Sequence, residues 1–296
     1  MNVRHRLLSL VMLLLAGHAL AAETPVRVQT LHPRVEAVTF YSEALEAEKT
    51  FCVVLPEGYD RARDGWPVLF LFHGRGRHER SLIDDEATRQ TLLAAPFVTV
   101  LPDGDDGWYI DSPVQPGDRY EVYTKEVIAH ADQRYRLSRD AARRGLSGWS
   151  MGGYGCVLFA ERHADDFGAI APMIGLLDFP RTGLPAGQSY DVPINRFGED
   201  RAVWRRLNPI HHAKRLRSMR ILIITAADAF DRTMNMHFHQ RLNDLGIEHR
   251  LEVLEGAHTF RVVQAALPKV TRFMADAIAG PSPASRESTP AANASR

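Results

Sequence analysis

Leu146-Ser147-Gly148-Trp149-Ser150-Met151-Gly152-Gly153-Tyr154-Gly155 places a serine between two glycines, each two residues away. The segment before it, Ala141 to Ser147, can enter as a short buried strand. The segment after it, Gly153 to His163, reads as a helix that packs through Val157, Leu158 and Ala160. A serine on so sharp a strand-to-helix turn is held in a strained backbone conformation. Its neighbours at two residues either side must be small for strand and helix to approach. The turn lifts the hydroxyl above the sheet edge and sets the next N–H groups at a helix N-terminus, where negative charge is favoured.

Working outward, the rest of the chain supplies alternating strands and helices. Thr24 to Lys49 is expected to form leading antiparallel strands, and Thr50-Phe51-Cys52-Val53-Val54-Leu55-Pro56 is a strand closed by Pro56 and Gly58. Trp66 to Phe72 and Phe97 to Pro102 are continuous apolar runs, the pattern of strands buried on both faces of a parallel sheet. Tyr120 to Tyr135 puts Tyr120, Tyr123, Val127, Ile128, Ala131 and Tyr135 on one helical face. Further strands are read at Phe167 to Leu176, Arg220 to Thr225 and His249 to Leu254. Helices are read at Arg232 to Leu245, stopped by Gly246, and at Val262 to Ile278. Phe179 to Trp204 lacks periodicity and is rich in Pro and Gly, so an irregular insertion is expected there, the usual place for a lid or substrate wall. The alternation predicts a single α/β domain over residues 23–279, a mostly parallel central sheet with helices on both faces.

Composition agrees. The chain has 296 residues, 45% of them hydrophobic, enough for one large core. Lys plus Arg and Asp plus Glu are 36 each, so net charge gives no ground for a nucleic-acid or anionic-membrane partner. Met1 to Ala22 reads as a secretory leader: a basic start at Arg4-His5-Arg6, an apolar run from Leu7 to Leu15, and the small-x-small site Ala19-Leu20-Ala21. A periplasmic or secreted protein follows. The run is short for a membrane anchor, and no later segment is long and apolar enough for one. Residues 280–296, dominated by Pro, Ser and Ala, are expected to be a disordered tail. Cys52 and Cys156 fall in a predicted strand and a predicted helix and are read as two buried free thiols. No Cys/His spacing points to zinc, and the expected chemistry needs no metal or cofactor.

A serine hydroxyl needs a base within hydrogen-bond reach, and the base needs an orienting carboxylate. Gly148-x-Ser150-x-Gly152 fits the nucleophile elbow of α/β-hydrolases, in which acid and then histidine follow the serine along the chain. Asp228, after the strand ending at Thr225, is assigned as the acid, with Asp231 as its competitor. Among 13 histidines, His258 is singled out because it alone lies in the loop after the last strand. His237 and His239 are read as surface or packing residues. The oxyanion needs preorganised N–H donors. These are assigned to Met151, next after the serine, and to Arg75 in the glycine-rich loop His73-Gly74-Arg75-Gly76.

With these residues in place, the chain resembles the esterase D / tributyrin esterase group, to which feruloyl esterases and antigen 85-type mycolyltransferases are related. The resemblance runs from about Phe51 to Phe260. It is carried by His73-Gly74, Gly107-Trp108-Tyr109-Ile110-Asp111-Ser112, the helix Tyr120 to Tyr135, the elbow Leu146-Ser147-x-x-Ser150-Met151-Gly152-Gly153-Tyr154-Gly155, Asp228 and His258-Thr259-Phe260. It implies a serine esterase with Ser150, Asp228 and His258 as triad and Arg75 and Met151 as oxyanion donors. Relatives often carry a hydrophobic residue where this chain has Arg75. The basic run Arg75, Arg77, His78, Arg80 is read as a solvated loop rather than a site for an acidic substrate group. Trp108 and Tyr109 are read either as lining the substrate pocket or as core aromatics. Acyl transfer by the same triad, and a non-catalytic binding protein on a hydrolase scaffold, are the competing functions. A formylated-glutathione thioesterase is disfavoured by the leader.

Overall fold

The computed structural model describes residues 26–61, 65–183 and 190–280. The leader expected at 1–22 and all of the tail beyond Gly280 lie outside the described residues.

Strands β1 (Arg27–His32), β2 (Val35–Ser42) and β3 (Ala47–Val54) form an antiparallel meander. Then follow β4 (Val68–Phe72), α1 (Ser81–Asp84), α2 (Glu86–Leu93), β5 (Val98–Pro102), α3 (Tyr120–Tyr135), β6 (Arg144–Trp149), α4 (Met151–Arg162) and β7 (Ala169–Met173). The chain continues through α5 (Ile194–Phe197), α6 (Arg201–Leu207), β8 (Arg220–Ala226), α7 (Arg232–Asp244), β9 (Arg250–Leu254) and α8 (Phe260–Met274). The nine strands lie in the order β1-β2-β3-β5-β4-β6-β7-β8-β9, with β4 to β9 mutually parallel and β3 antiparallel to β5. The single α/β domain read from the apolar runs is the fold observed. The two short helices α1 and α2 are additional to that reading.

Side chains alternate across each strand. Phe51 and Val53 on β3, and Phe70 and Phe72 on β4, face one core with Tyr123 and Val127 of α3, Val157 of α4 and Phe238 of α7. Cys52, Val54, Leu69 and Leu71 face the other, against Leu82 of α1, Leu92 of α2 and Val263, Leu267 and Val270 of α8. Cys52 and Cys156 belong to opposite layers, so both are buried, free thiols as expected. Burial raises both thiols well above their ordinary value.

The order β5-β4-β6 also locates the site. After β4 the chain moves to one side to lay down β5, then returns to the other side with β6. The loops leaving β4 and β6 therefore diverge, and open α/β sheets bind ligands in that crevice.

Candidate functional site

Ser150 sits between β6 and α4 with φ 56° and ψ −119°, a strained conformation for a residue with a Cβ. A Cβ on Gly148 would lie 2.3 Å from the Gly152 carbonyl oxygen, and one on Gly152 would lie 2.3 Å from that of Phe72. Both glycines are therefore demanded by the close approach of α4 to β6 and β4. The turn is pinned by the Ser150 N–H donating to Met173 O at 3.1 Å and by the Ser147 hydroxyl donating to Ala171 O at 2.6 Å.

His258, in the loop after β9, brings Nε2 to 2.8 Å from Ser150 Oγ. Its Nδ1 lies 2.6 Å from Asp231 Oδ1. Asp231 is fully buried, whereas 18% of the His258 side chain is exposed. The structure therefore corrects the assignment of the acid: Asp231, the competitor, faces the histidine, and Asp228 does not. β8 ends at Ala226. The Ala227 N–H donates to Leu254 O and the Asp228 N–H to Gly256 O, which carries the chain one step past the sheet with the Asp228 side chain in solvent. The chain then turns back and reaches the sheet edge at Asp231, immediately before α7. Two groups that the sequence did not single out meet the other carboxylate oxygen. Thr225 Oγ1 donates to Asp231 Oδ2 at 3.0 Å and Asn235 Nδ2 donates to it at 2.8 Å.

The loop after β4 is fixed from three sides. The Asp106 carboxylate accepts from the Gly76 N–H and from Arg75 Nε, both at 3.2 Å. His73 Nε2 accepts from the Gly104 N–H at 2.8 Å, which leaves Nδ1 to donate to Gly74 O at 2.9 Å. The His73 N–H donates to the Tyr109 hydroxyl at 2.9 Å. Burial raises the Tyr109 phenol well above its ordinary value, so it stays neutral in this role. Met151 opens α4, where the first N–H groups have no intrahelical acceptor. Neither the Met151 N–H nor the Arg75 N–H donates to a protein acceptor among the described residues.

Trp108 and Tyr109 are core aromatics. They are 1% and 2% exposed, which decides between the two readings. Tyr109 stacks on Phe72 at 4.3 Å, and Trp108 stacks on Phe179 at 5.3 Å and meets Tyr154 and Phe197 edge-on. Two other aromatic rings lie nearer the histidine. The Phe230 ring lies 4.3 Å from the His258 ring, and Tyr190 stacks on Phe230 at 5.3 Å. Arg75 bonds Asp106, and the neighbouring Tyr190 and Asp106 hold its guanidinium above its ordinary value. The insertion is thus only partly irregular. It contributes α5, most of α6 and the buried Phe179 and Phe197, besides Tyr190 beside the site, while 184–189 lie outside the described residues.

The basic loop is exposed along Arg75, Arg77, His78 and Arg80, as its reading as solvated requires. His237 packs against Asp178 at 2.8 Å and His239 against His249 at 2.6 Å, both away from Ser150 in the hydrogen-bond network.

Comparison with known proteins bears on the fold and the family. Esterase Rv1288 of Mycobacterium tuberculosis is 24% identical over 261 residues, covering 77% of this chain and 56% of that protein. The chain thus spans about half the length of the curated relatives it matches first. Among solved structures, a ferulic acid esterase is 23% identical with a TM-score of 0.65, covering 81% of this chain and 98% of its own. An S-formylglutathione hydrolase from Agrobacterium tumefaciens is 20% identical with a TM-score of 0.70, covering 86% and 99%. These likenesses show the α/β-hydrolase fold. No helix among the described residues is long and apolar enough to cross a membrane. The sequence model of the Esterase family, described as "Putative esterase", matches residues 42–274, and the chain belongs to that family.

Proposed function

We propose that the protein is an exported serine esterase that hydrolyses carboxylic esters through Ser150, His258 and Asp231. The observation that carries this reading is the unbroken line from Ser150 Oγ to His258 Nε2 at 2.8 Å and from His258 Nδ1 to Asp231 Oδ1 at 2.6 Å. Family membership and relatives named as esterases support the same reaction class. The leader-like residues 1–22 support export.

In this reading His258 Nε2 takes the hydroxyl proton as Ser150 Oγ attacks the acyl carbon. The buried Asp231 carboxylate stabilises the imidazolium and fixes its tautomer. The negative charge that forms on the carbonyl oxygen is met by the N–H groups of Met151 and Arg75. His258 then protonates the departing alcohol and leaves an acyl group on Ser150. Water, deprotonated by His258, attacks that acyl carbon, and the acid departs as Ser150 recovers its proton. The rings of Phe230 and Tyr190 form the wall beside His258 against which part of the ester packs.

The test is a panel of p-nitrophenyl esters of increasing acyl length, run on wild type and Ser150→Ala, with and without an added alcohol. Turnover in wild type, loss in Ser150→Ala and release of free acid support hydrolysis. Transfer of the acyl group to the alcohol in preference to water would assign acyl transfer instead. Turnover unchanged in Ser150→Ala would refute the mechanism.

A further inference from the structure

Asp231 occupies the N-cap of α7, where an aspartate ordinarily turns its carboxylate onto the helix's own first N–H groups. It makes no such bond. One carboxylate oxygen is given to His258, and the other accepts from Thr225 and Asn235. Asp231, Thr225 and Asn235 are all fully buried, so bulk water does not reach the carboxylate. A buried carboxylate stays ionised and in one orientation only when its lone pairs are met by donors.

Asn235 does more than fill a lone pair. It lies one turn into α7, and its backbone N–H donates to Asp231 O at 3.0 Å. Its Nδ2 also lies 2.7 Å from Gly175 O, in the loop after β7. That loop packs on the elbow helix so closely that a Cβ on Gly153 would lie 2.7 Å from the Gly175 Cα. Asn235 therefore ties the start of α7, which carries the acid, to the backbone that braces the helix after Ser150. Its own Oδ1 is buried and meets no partner among the described residues, an unfavourable state that a leucine of similar shape would avoid.

We propose that Asn235 and Thr225 are positioning residues that hold the ionised Asp231 carboxylate in the orientation facing His258. The proposal rests on the triad assigned above. Thr225 supplies a donor from β8 and Asn235 one from α7, so the carboxylate is gripped between the two elements that flank the turn from Ala227 to Phe230.

The experiment compares Asn235→Leu, Thr225→Val and Thr225→Ser with wild type. Three quantities are read: kcat and KM on a p-nitrophenyl ester, the thermal midpoint, and the low-field proton resonance of the His258 Nδ1–H. Asn235→Leu should lower kcat roughly ten- to a hundredfold, the size of one lost hydrogen bond to a charged group, with KM changed less than about twofold. Thr225→Val keeps the shape of threonine and loses only the donor, so kcat should fall in the same direction. Both should move the Nδ1–H resonance upfield, and Thr225→Ser, which restores a hydroxyl, should return kcat and resonance toward wild type. A structural role alone would shift the midpoint and leave the resonance in place. Should Asn235→Leu fail to fold, the Thr225 pair decides. A folded Thr225→Val with kcat and resonance unchanged overturns the proposal. The resonance needs no turnover: a wild-type signal without ester hydrolysis would defeat the esterase reading and leave the positioning claim standing.

Discussion

Replacing Asp231 by asparagine keeps the volume of a fully buried side chain and removes one charge. Thr225 and Asn235 donate to the oxygen on the far side, so the amide that results turns its NH2 toward His258 Nδ1 and thereby forces the imidazole into the tautomer with its proton on Nε2. In that tautomer Nε2, which lies 2.8 Å from Ser150 Oγ, cannot accept the hydroxyl proton. Loss of the acid in serine triads costs about 10⁴ in kcat, or about 5.5 kcal/mol at about 1.36 kcal/mol per decade. Asp228→Asn removes a charge from an exposed side chain, where screening leaves roughly a twofold effect or less. The assay is ester turnover for both variants, beside thermal midpoints showing that both are folded. A folded Asp231→Asn at near wild-type rate, with Asp228→Asn disabled, would refute the account of the acid and return it to the assignment made from sequence.

Four further outcomes are expected. Trp108→Ala should lower stability by about 3–5 kcal/mol in a denaturant titration, as for other buried large aromatics, because the ring is core and not pocket lining. Phe230→Ala should raise KM or lower kcat by about tenfold, the scale of one lost aromatic contact, since that ring lies 4.3 Å from His258. Cys52 and Cys156 should resist a thiol reagent in the native protein and react after unfolding, because both are buried and free. Burial would raise the Asp178 and Glu121 carboxyls. For Asp178, hydrogen bonds from His237 and Asn208 and the Arg181 guanidinium outweigh that; for Glu121, His163 and Arg162 do so, and both are held below the usual carboxylate range. Carboxylates depressed on folding contribute stability above the unfolded value near 4 that is lost as pH falls, so the thermal midpoint should drop as pH falls from about 5 toward about 3. A midpoint flat across that window would contradict their pairing.

Much of this was legible in the residues. The mainly apolar runs at Val68–Phe72, Val98–Pro102 and Arg220–Ala226 announced buried parallel strands because only Thr99, Arg220 and Thr225 among them are polar. Ser150 was legible because two glycines flank it between a segment that reads as a strand and one that reads as a helix. His258 was legible because a histidine after the last strand reaches the same sheet edge. Asp231 was harder, for a physical reason. It directly precedes Arg232, where α7 begins, and an aspartate there looks like a helix cap. Whether the acid lies two or five residues past the end of β8 at Ala226 depends on how the turn from Ala227 to Phe230 folds back, and no periodicity encodes that. Trp108 and Tyr109 both adopt positive φ, at 56° and 57°, which turns adjacent aromatic side chains inward in a way that a loop sequence does not reveal. The pairing of Tyr190 with Phe230 joins residues 40 apart through tertiary packing alone.

The account stands or falls on Ser150 being the nucleophile. Peptide mass spectrometry after a fluorophosphonate probe addresses that directly, with ester turnover followed in the same samples. One adduct, on the peptide holding Ser150, with turnover lost in proportion to labelling, is predicted. Full labelling at another residue, or complete loss of turnover with Ser150 unmodified, would contradict it.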